Sequence, residues 1–304
     1  MNAETPARRS VRVGLTLPSF QSDPERVLAV ARAAEDAGVD GVFLFDHLFR
    51  QRGDVAGAER RPALELLTMA AGVAAATARI TVGTLVARAT LRPPATLRAA
   101  FDTLARMAPG RIVAGLGAGD DESVAEDWAF GVLPGDPEPA GTGDGGRQPF
   151  GAYRVARFEA AVAAVQERDY PVWLAGRSPA ALRLAAASGD GWNHWGSEVA
   201  GFATAAERMR DEVTRAGRAI GAFTYTWGGL AVLGASPEEA RSKADRLNGH
   251  RPGIVVGDPP RVADQISAYA AAGADWVILG PIDSANADNA AVLGDAVALL
   301  RNPA

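Results

Sequence analysis

Short apolar runs alternate with longer helical stretches along the whole chain, and no other feature restricts its fold as strongly. Val11–Pro18 reads as a strand. Pro24–Gly38 reads as the helix after it, with Asp23 as N-cap, Pro24 at the first helical position and Gly38 as the stop. Further strands are expected at Gly41–Leu48, Arg79–Ala87, Arg111–Gly119, Pro171–Gly176, Gly191–His194, Tyr225–Gly234 and Asp275–Gly280. Between and after them the sequence predicts helices over Pro62–Thr77, Pro94–Ala108, Tyr153–Arg168, Pro179–Ser188, Val199–Ala216, Pro237–Asn248, Pro259–Ala272 and Asn286–Leu300. Such alternation implies parallel strands covered by helices. Eight parallel strands close into a (β/α)8 TIM barrel, whereas an open doubly wound sheet usually has fewer. The 304 residues suit one barrel domain with an insertion. Two domains of about 150 residues are the rival arrangement.

An internal echo favours the barrel. Ala37-Gly38-Val39-Asp40-Gly41-Val42 resembles Ala272-Gly273-Ala274-Asp275-Trp276-Val277: a helix end, a glycine reversal, then a strand opened by aspartate. Two segments break the pattern. Asp120–Phe150, after the fourth strand, reads as an insertion at the barrel mouth, rich in Gly and Pro from Pro134 to Pro149; residues 134–150 read as a mobile loop, either a lid or, over Pro137–Gly146, plain disorder. Gly249–Asp258 is the second.

Composition removes several function classes. The chain has no cysteine, which excludes disulfides, thiolate catalysis and cysteine-based metal sites. Its three histidines lack a metal-type spacing, so no metal is expected. A net charge of −5 points to neither nucleic acid nor an anionic membrane. No apolar run approaches the roughly 18 residues a membrane span needs. Met1–Ser10 is polar, expected to be disordered, and unlike a signal peptide, so the expected compartment is the cytoplasm.

In a barrel the loops after the strands carry function. The second strand ends Phe45-Asp46-His47-Leu48, placing a histidine beside a carboxylate where it can move a proton or serve structure alone. The third ends Gly83-Thr84-Leu85-Val86-Ala87. The fourth ends Gly117-Ala118-Gly119-Asp120, which suits close approach of a ligand to the backbone or simply a tight turn. It is not a dinucleotide fingerprint, because Glu122 occupies the place of the third glycine. Asp120 either presents a carboxylate or caps a helix. Ala175-Gly176-Arg177-Ser178-Pro179 has the makings of a phosphate site: Ser178 as N-cap, free N–H groups at a helix start, and the Arg177 charge. Trp192 and Trp195 flank Asn193-His194 and wall a planar ligand or pack in the core.

Together these strings resemble the luciferase-like monooxygenase and F420-dependent oxidoreductase superfamily, and within it the deazaflavin-dependent branch. The resemblance rests on Gly14-Leu15-Thr16-Leu17-Pro18, Asp46-His47-Leu48, Arg92-Pro93-Pro94-Ala95, Gly115-Leu116-Gly117-Ala118-Gly119, Pro171-Val172-Trp173-Leu174-Ala175-Gly176 and Gly189-Asp190-Gly191-Trp192-Asn193. It implies a barrel that binds coenzyme F420 or reduced FMN at its mouth and forms a homodimer. It implies His47 near the reactive ring, Asp120 in place of a glutamate that serves as acid in some relatives, and a non-proline cis peptide at Leu85–Val86. The cofactor-binding residues expected from these readings are Asp46, Thr84, Leu85, Val86, Gly117, Ala118, Gly119, Ala175, Gly176, Arg177, Ser178, Trp192 and Asn193, with His47 and Asp120 as proton carriers.

The leading expectation is hydride transfer between reduced F420 and a small organic substrate. Two alternatives stand beside it: a monooxygenase using FMNH2, oxygen and a separate flavin reductase, and a non-catalytic cofactor-binding barrel. F420 is preferred to FMN because its oligoglutamate tail needs positive charge, and Arg50, Arg52, Arg60, Arg61, Arg88 and Arg92 cluster on two loops of one face.

Overall fold

The computed structural model describes residues 11–50, 61–119, 123, 126–127 and 147–302, with backbone alone at 50, 61 and 147–151. Among the described residues, eight strands close the barrel: β1 (Arg12–Thr16), β2 (Gly41–Leu44), β3 (Thr81–Thr84), β4 (Ile112–Gly117), β5 (Val172–Ala175), β6 (Gly191–Trp195), β7 (Thr224–Leu233) and β8 (Trp276–Pro281), with short parallel additions at Ala87–Arg88 on β4 and Val255–Gly257 on β7. Each pairs in parallel with the next, and β8 pairs with β1, Val13 against Val277, which closes the barrel. The helices are α1 (Pro24–Asp36), α2 (Leu66–Ala76), α3 (Pro94–Met107), α4 (Arg147–Ala164), α5 (Pro179–Ser188), α6 (Val199–Arg215), α7 (Pro237–Leu247), α8 (Pro259–Ala271) and α9 (Asp288–Arg301). Among the described residues no helix is long and apolar enough to cross a membrane.

Three helix starts differ from expectation, α9 by two residues, opening at Asp288 rather than Asn286. Helix α2 opens at Leu66, because Glu65 caps it by accepting from the Thr68 amide, 2.7 Å. Pro62 instead joins Arg61 in a short antiparallel pairing with Phe49–Arg50. Helix α4 opens at Arg147, within the segment expected to be mobile. Residues 134–146 and 1–10, also expected to be mobile or disordered, lie outside the described residues.

Aspartates at the foot of the barrel fix strand starts. Asp40 accepts from the Val13 amide, Asp190 from Val172 and Asp275 from Tyr225, at 2.8–2.9 Å. The echoed glycines before Asp40 and Asp275, Gly38 and Gly273, both hold positive φ (77° and 104°). One αβ junction is thus built twice from the same residues.

Inside the barrel, Phe43, Trp173 and Trp276 meet with ring centroids 5.6–5.7 Å apart. Glycine on the neighbouring strands makes the room: a Cβ on Gly83 would stand 2.5 Å from the Phe43 ring, and one on Gly14 would stand 2.6 Å away. The interior is therefore a packed floor beneath the mouth. Gly83→Ala should cost about 1–3 kcal/mol by overpacking, with part recovered in Gly83→Ala/Phe43→Leu. Urea unfolding of the three proteins measures this; equal midpoints for wild type and Gly83→Ala would rule it out.

Candidate active site

A cavity of about 760 Å³ opens at the C-terminal ends of the strands. Its β3–β4 wall depends on backbone. The peptide Leu85–Val86 is cis. Just before it, the buried Thr84 hydroxyl donates to the Gly115 carbonyl (2.7 Å) and accepts from the Gly115 amide (2.9 Å). The Thr84 carbonyl stands 1.9 Å from where a Gly115 Cβ would be, and Val86 stands 2.5 Å from where a Gly117 Cβ would be. Glycine at both positions is what lets the bulge seat against β4. Leu85, Val86, Gly117, Ala118 and Gly119 line the cavity, while Thr84 lies behind them.

At the end of β2 the two polar side chains divide the work. His47 lines the cavity and contacts Glu126 through Nδ1, 2.7 Å, which leaves Nε2 as its other nitrogen. Glu126 also accepts from the Leu48 amide (2.7 Å) and pairs with Arg88 (3.1 Å). Arg88 reaches Asp127 at 3.4 Å and donates to the Ser123 carbonyl. Burial pushes the Asp127 carboxyl up, against the pull of Arg88. Asp46 is buried and accepts from the Arg88 amide (2.9 Å) and from Arg92 through both oxygens (2.5 and 3.1 Å). It borders the cavity, but three of its roughly four acceptor sites are taken by the protein. Arg92 also pairs with Glu65.

These ion pairs correct one expectation. The sequence offers Arg88 and Arg92 as positive charge for an anionic tail, yet both are engaged by carboxylates, with side chains 4% and 13% exposed. The Arg50 and Arg61 side chains and residues Arg52 and Arg60 lie outside the described residues.

On the β5 side, Ser178 caps α5 by accepting from the Ala181 amide, 3.2 Å. Gly176 takes φ 147°, and a Cβ there would stand 2.5 Å from the Ala181 side chain. Arg177 donates to the Trp195 and Gly196 carbonyls. Ala175, Gly176, Arg177 and Ser178 all line the cavity, as does Asn193, whose amide donates to the Thr226 hydroxyl at 2.7 Å. Trp192 does not: its buried indole faces away and donates to the Gly176 carbonyl, 2.9 Å, supporting the turn from behind.

Asp120 lies outside the described residues. Glu126 was not singled out in the sequence, although it belongs to the acidic run Asp120–Asp127 after β4. Nothing in that run's spacing says which carboxylate folds back onto His47. Phe20 carries no signal of its own in the sequence; its ring stands 5.1 Å from Phe45 and 5.5 Å from His47.

The family described as luciferase-like monooxygenase matches residues 7–140 and 146–252. The chain belongs to the luciferase-like monooxygenase family. An F420-dependent glucose-6-phosphate dehydrogenase of Beutenbergia cavernae is 32% identical over 211 residues, 60% of this chain and 56% of the relative. The match thus spans little more than half of that relative's length. An F420-dependent hydroxymycolic acid dehydrogenase of Mycobacterium tuberculosis is 30% identical over 254 residues, 78% of this chain and 66% of that one. Among solved luciferase-like folds, an F420-dependent secondary alcohol dehydrogenase in complex with an F420–acetone adduct superposes with TM-score 0.74 at 15% identity, covering 96% of this chain and 100% of that one.

One histidine of the same region has a measurable structural consequence. His194 is 7% exposed on the outer side of β6, against Trp192 and Phe202, with Nδ1 lacking a hydrogen-bond partner. Burial, and then the nearby Arg177 charge, bring its pKa down to about 4 from the usual 6.5. The unfolded chain therefore takes up this proton first as pH falls. Stability should be intact above pH 6.5 and decline toward pH 4, by on the order of 3 kcal/mol for this group. Urea midpoints at pH 7.5 and 4.5 should differ less in His194→Leu than in the wild type; equal differences would contradict the assignment.

Proposed function

We propose that this luciferase-like protein is an F420-dependent oxidoreductase that transfers hydride between the deazaflavin and a small organic alcohol or carbonyl compound. The observation that carries the reading is His47, held through Nδ1 by Glu126 at 2.7 Å on the wall of a cavity at the barrel mouth.

The cavity fits such a cofactor in size and in the character of its wall. About 760 Å³ is within the range of roughly 300–1,000 Å³ usual for small-molecule sites. The β3–β4 wall is bare of large side chains at Gly117, Ala118 and Gly119, which suits a flat ring. The start of α5 offers N–H groups and a positive dipole end to a phosphate, with Arg177 beside it. Leu85, Val86, Ala175, Gly176, Ser178 and Asn193 complete the proposed contacts. Bound deazaflavin supplies a ring carbon that accepts or donates hydride as an electron pair.

The protein's part is the proton. A Glu126 carboxylate bonded to Nδ1 fixes the tautomer in which Nε2 is the base. As the carbinol C–H departs as hydride, Nε2 takes the hydroxyl proton; in reverse it returns that proton to the alkoxide oxygen. Asp120 is the second proposed carrier. The preference for F420 rests on the named relatives, since Arg88 and Arg92 are taken by acids. We further propose a homodimer acting in the cytoplasm, with neither nucleic acid nor membrane as partner, as the family resemblance and the acidic net charge suggest.

His47→Ala should lower turnover 10²–10⁴-fold, the usual contribution of a general acid–base, while F420 affinity stays within a few-fold. Glu126→Gln should lower turnover less and shift the pH–rate profile. Steady-state kinetics and F420 titration check both; unchanged turnover in His47→Ala would return His47 to a structural role. Direct titration should also show F420 binding more tightly than FMN. Tighter FMN binding, with oxygen-dependent turnover of reduced FMN, would move the assignment to the monooxygenase.

A further inference from the structure

The cavity has two unlike halves. Around β3, β4 and the start of α5 it is bounded by the bulge at Leu85–Val86, by the small residues Gly117, Ala118, Gly119, Ala175 and Gly176, and also by Phe158 and Leu184. From β6 round to β2 it is bounded by rings. Trp195, 37% exposed, lies across the mouth: a Cβ on Gly228 of β7 would stand 2.6 Å from its ring, and one on Gly280 of β8 would stand 3.2 Å from it. The same Gly280 position is 3.1 Å from Thr16 Oγ1, so the indole spans from β6 over β7 to β8, with β1 next in the barrel. There Phe20 and Phe45 take over, their rings 5.1 Å apart and each 5.5–5.6 Å from the His47 ring. The proton carrier thus stands at the seam between the halves, with aromatic faces next to it.

Among the described residues the arc's own side chains carry no cation, and the arginines at its ends are engaged elsewhere. Three arginines line the cavity: Arg88, Arg154 and Arg177. Arg88 is buried among Glu126, Asp127 and the Ser123 carbonyl. Arg154 stands near enough to Asp127 to offset a little of the upward push that burial gives its carboxyl. Arg177 is held by the Trp195 and Gly196 carbonyls beside the α5 start. Lys243, the chain's single lysine, donates to the Leu233 carbonyl and pairs with Glu239 outside the mouth. A phosphate brought into the aromatic arc would lose water without gaining a charged partner. A flat hydrocarbon surface would gain by burial there.

We infer that the substrate is an uncharged alcohol or ketone bearing an aromatic or alicyclic group, seated between the Phe20–Phe45 pair and the Trp195 indole, and not a phosphorylated sugar. The inference rests on the F420 reading for the use of the opposite half of the cavity. It separates this chain from the relative named for glucose 6-phosphate.

Calorimetric titration of the F420-saturated protein with acetone, cyclohexanone, acetophenone and glucose 6-phosphate tests it, with binding rather than turnover as the readout. Affinity should rise from acetone to the cyclic ketones by roughly fourfold for each buried methylene. Trp195→Ala and Phe45→Ala should each weaken acetophenone about 10–100-fold, Trp195→Phe should retain most of the affinity, and thermal unfolding should show all three folded. Glucose 6-phosphate should not bind. Tighter binding of glucose 6-phosphate than of acetophenone, or acetophenone affinity unmoved in both alanine variants, overturns the inference while leaving the F420 reading intact. If F420 fails to bind and FMN binds, the deazaflavin reading fails. The same titration on the FMN-loaded protein then decides the substrate class by the same criteria.

Discussion

Buried carboxylates need counter-charge, and the mouth of this barrel is arranged around that need. Asp46 closes the end of β2 onto the Arg88 amide and the Arg92 guanidinium. Arg88 in turn faces Glu126, and Glu126 holds both the His47 ring and the Leu48 amide. The chain Asp46, Arg88, Glu126, His47 joins the loops after β2, β3 and β4 into one unit. Removing any one charge would strand its partner in a site that water reaches poorly. The position of the histidine is therefore a property of three loops rather than of one.

Below that unit the barrel is solid. Phe43, Trp173 and Trp276 fill its interior against glycines on neighbouring strands, so ligands meet a floor and are confined to the mouth. The mouth is then divided by the side chains that rim it. Glycine at 115 and 117 lets the β3 bulge lie flush on β4, leaving a bare wall. Glycine at 228 and 280 lets one tryptophan cover two strands, making an aromatic wall opposite. Small residues do the shaping in both places, by what they leave vacant.

How much of this could be read from the sequence follows from the range of the interactions involved. The strand–helix order, the caps at Asp23 and Ser178 and the repeated Gly–x–Asp junction depend on neighbours a few residues apart, and they are legible. So are the backbone turns at Gly117–Gly119 and Gly176, where residue type restricts conformation directly. The partner of His47 is not legible: Glu126 is 79 residues away and is one of several acids in its run. The arginines misled for the same reason. Arg88 and Arg92 look like loop charge in sequence, and only the fold shows that Asp46, Glu126 and Glu65 consume them. Trp192 and Trp195 are alternatives in sequence because strand alternation alone does not say which face is the mouth. The closed barrel turns 192 outward and lays 195 across the opening.

Imidazole NMR of the protein titrated with F420 tests the central claim most directly, because the chain has only three histidines. His250 is exposed and paired with Asp245, and His194 is buried on the outer side of β6, so neither borders the cavity. Saturable F420 binding should shift the His47 ring signals and leave the other two unchanged, with the His47 response lost in His47→Gln. Saturable binding that leaves His47 unmoved would contradict the placement of the cofactor against this residue, and with it the proton-transfer role.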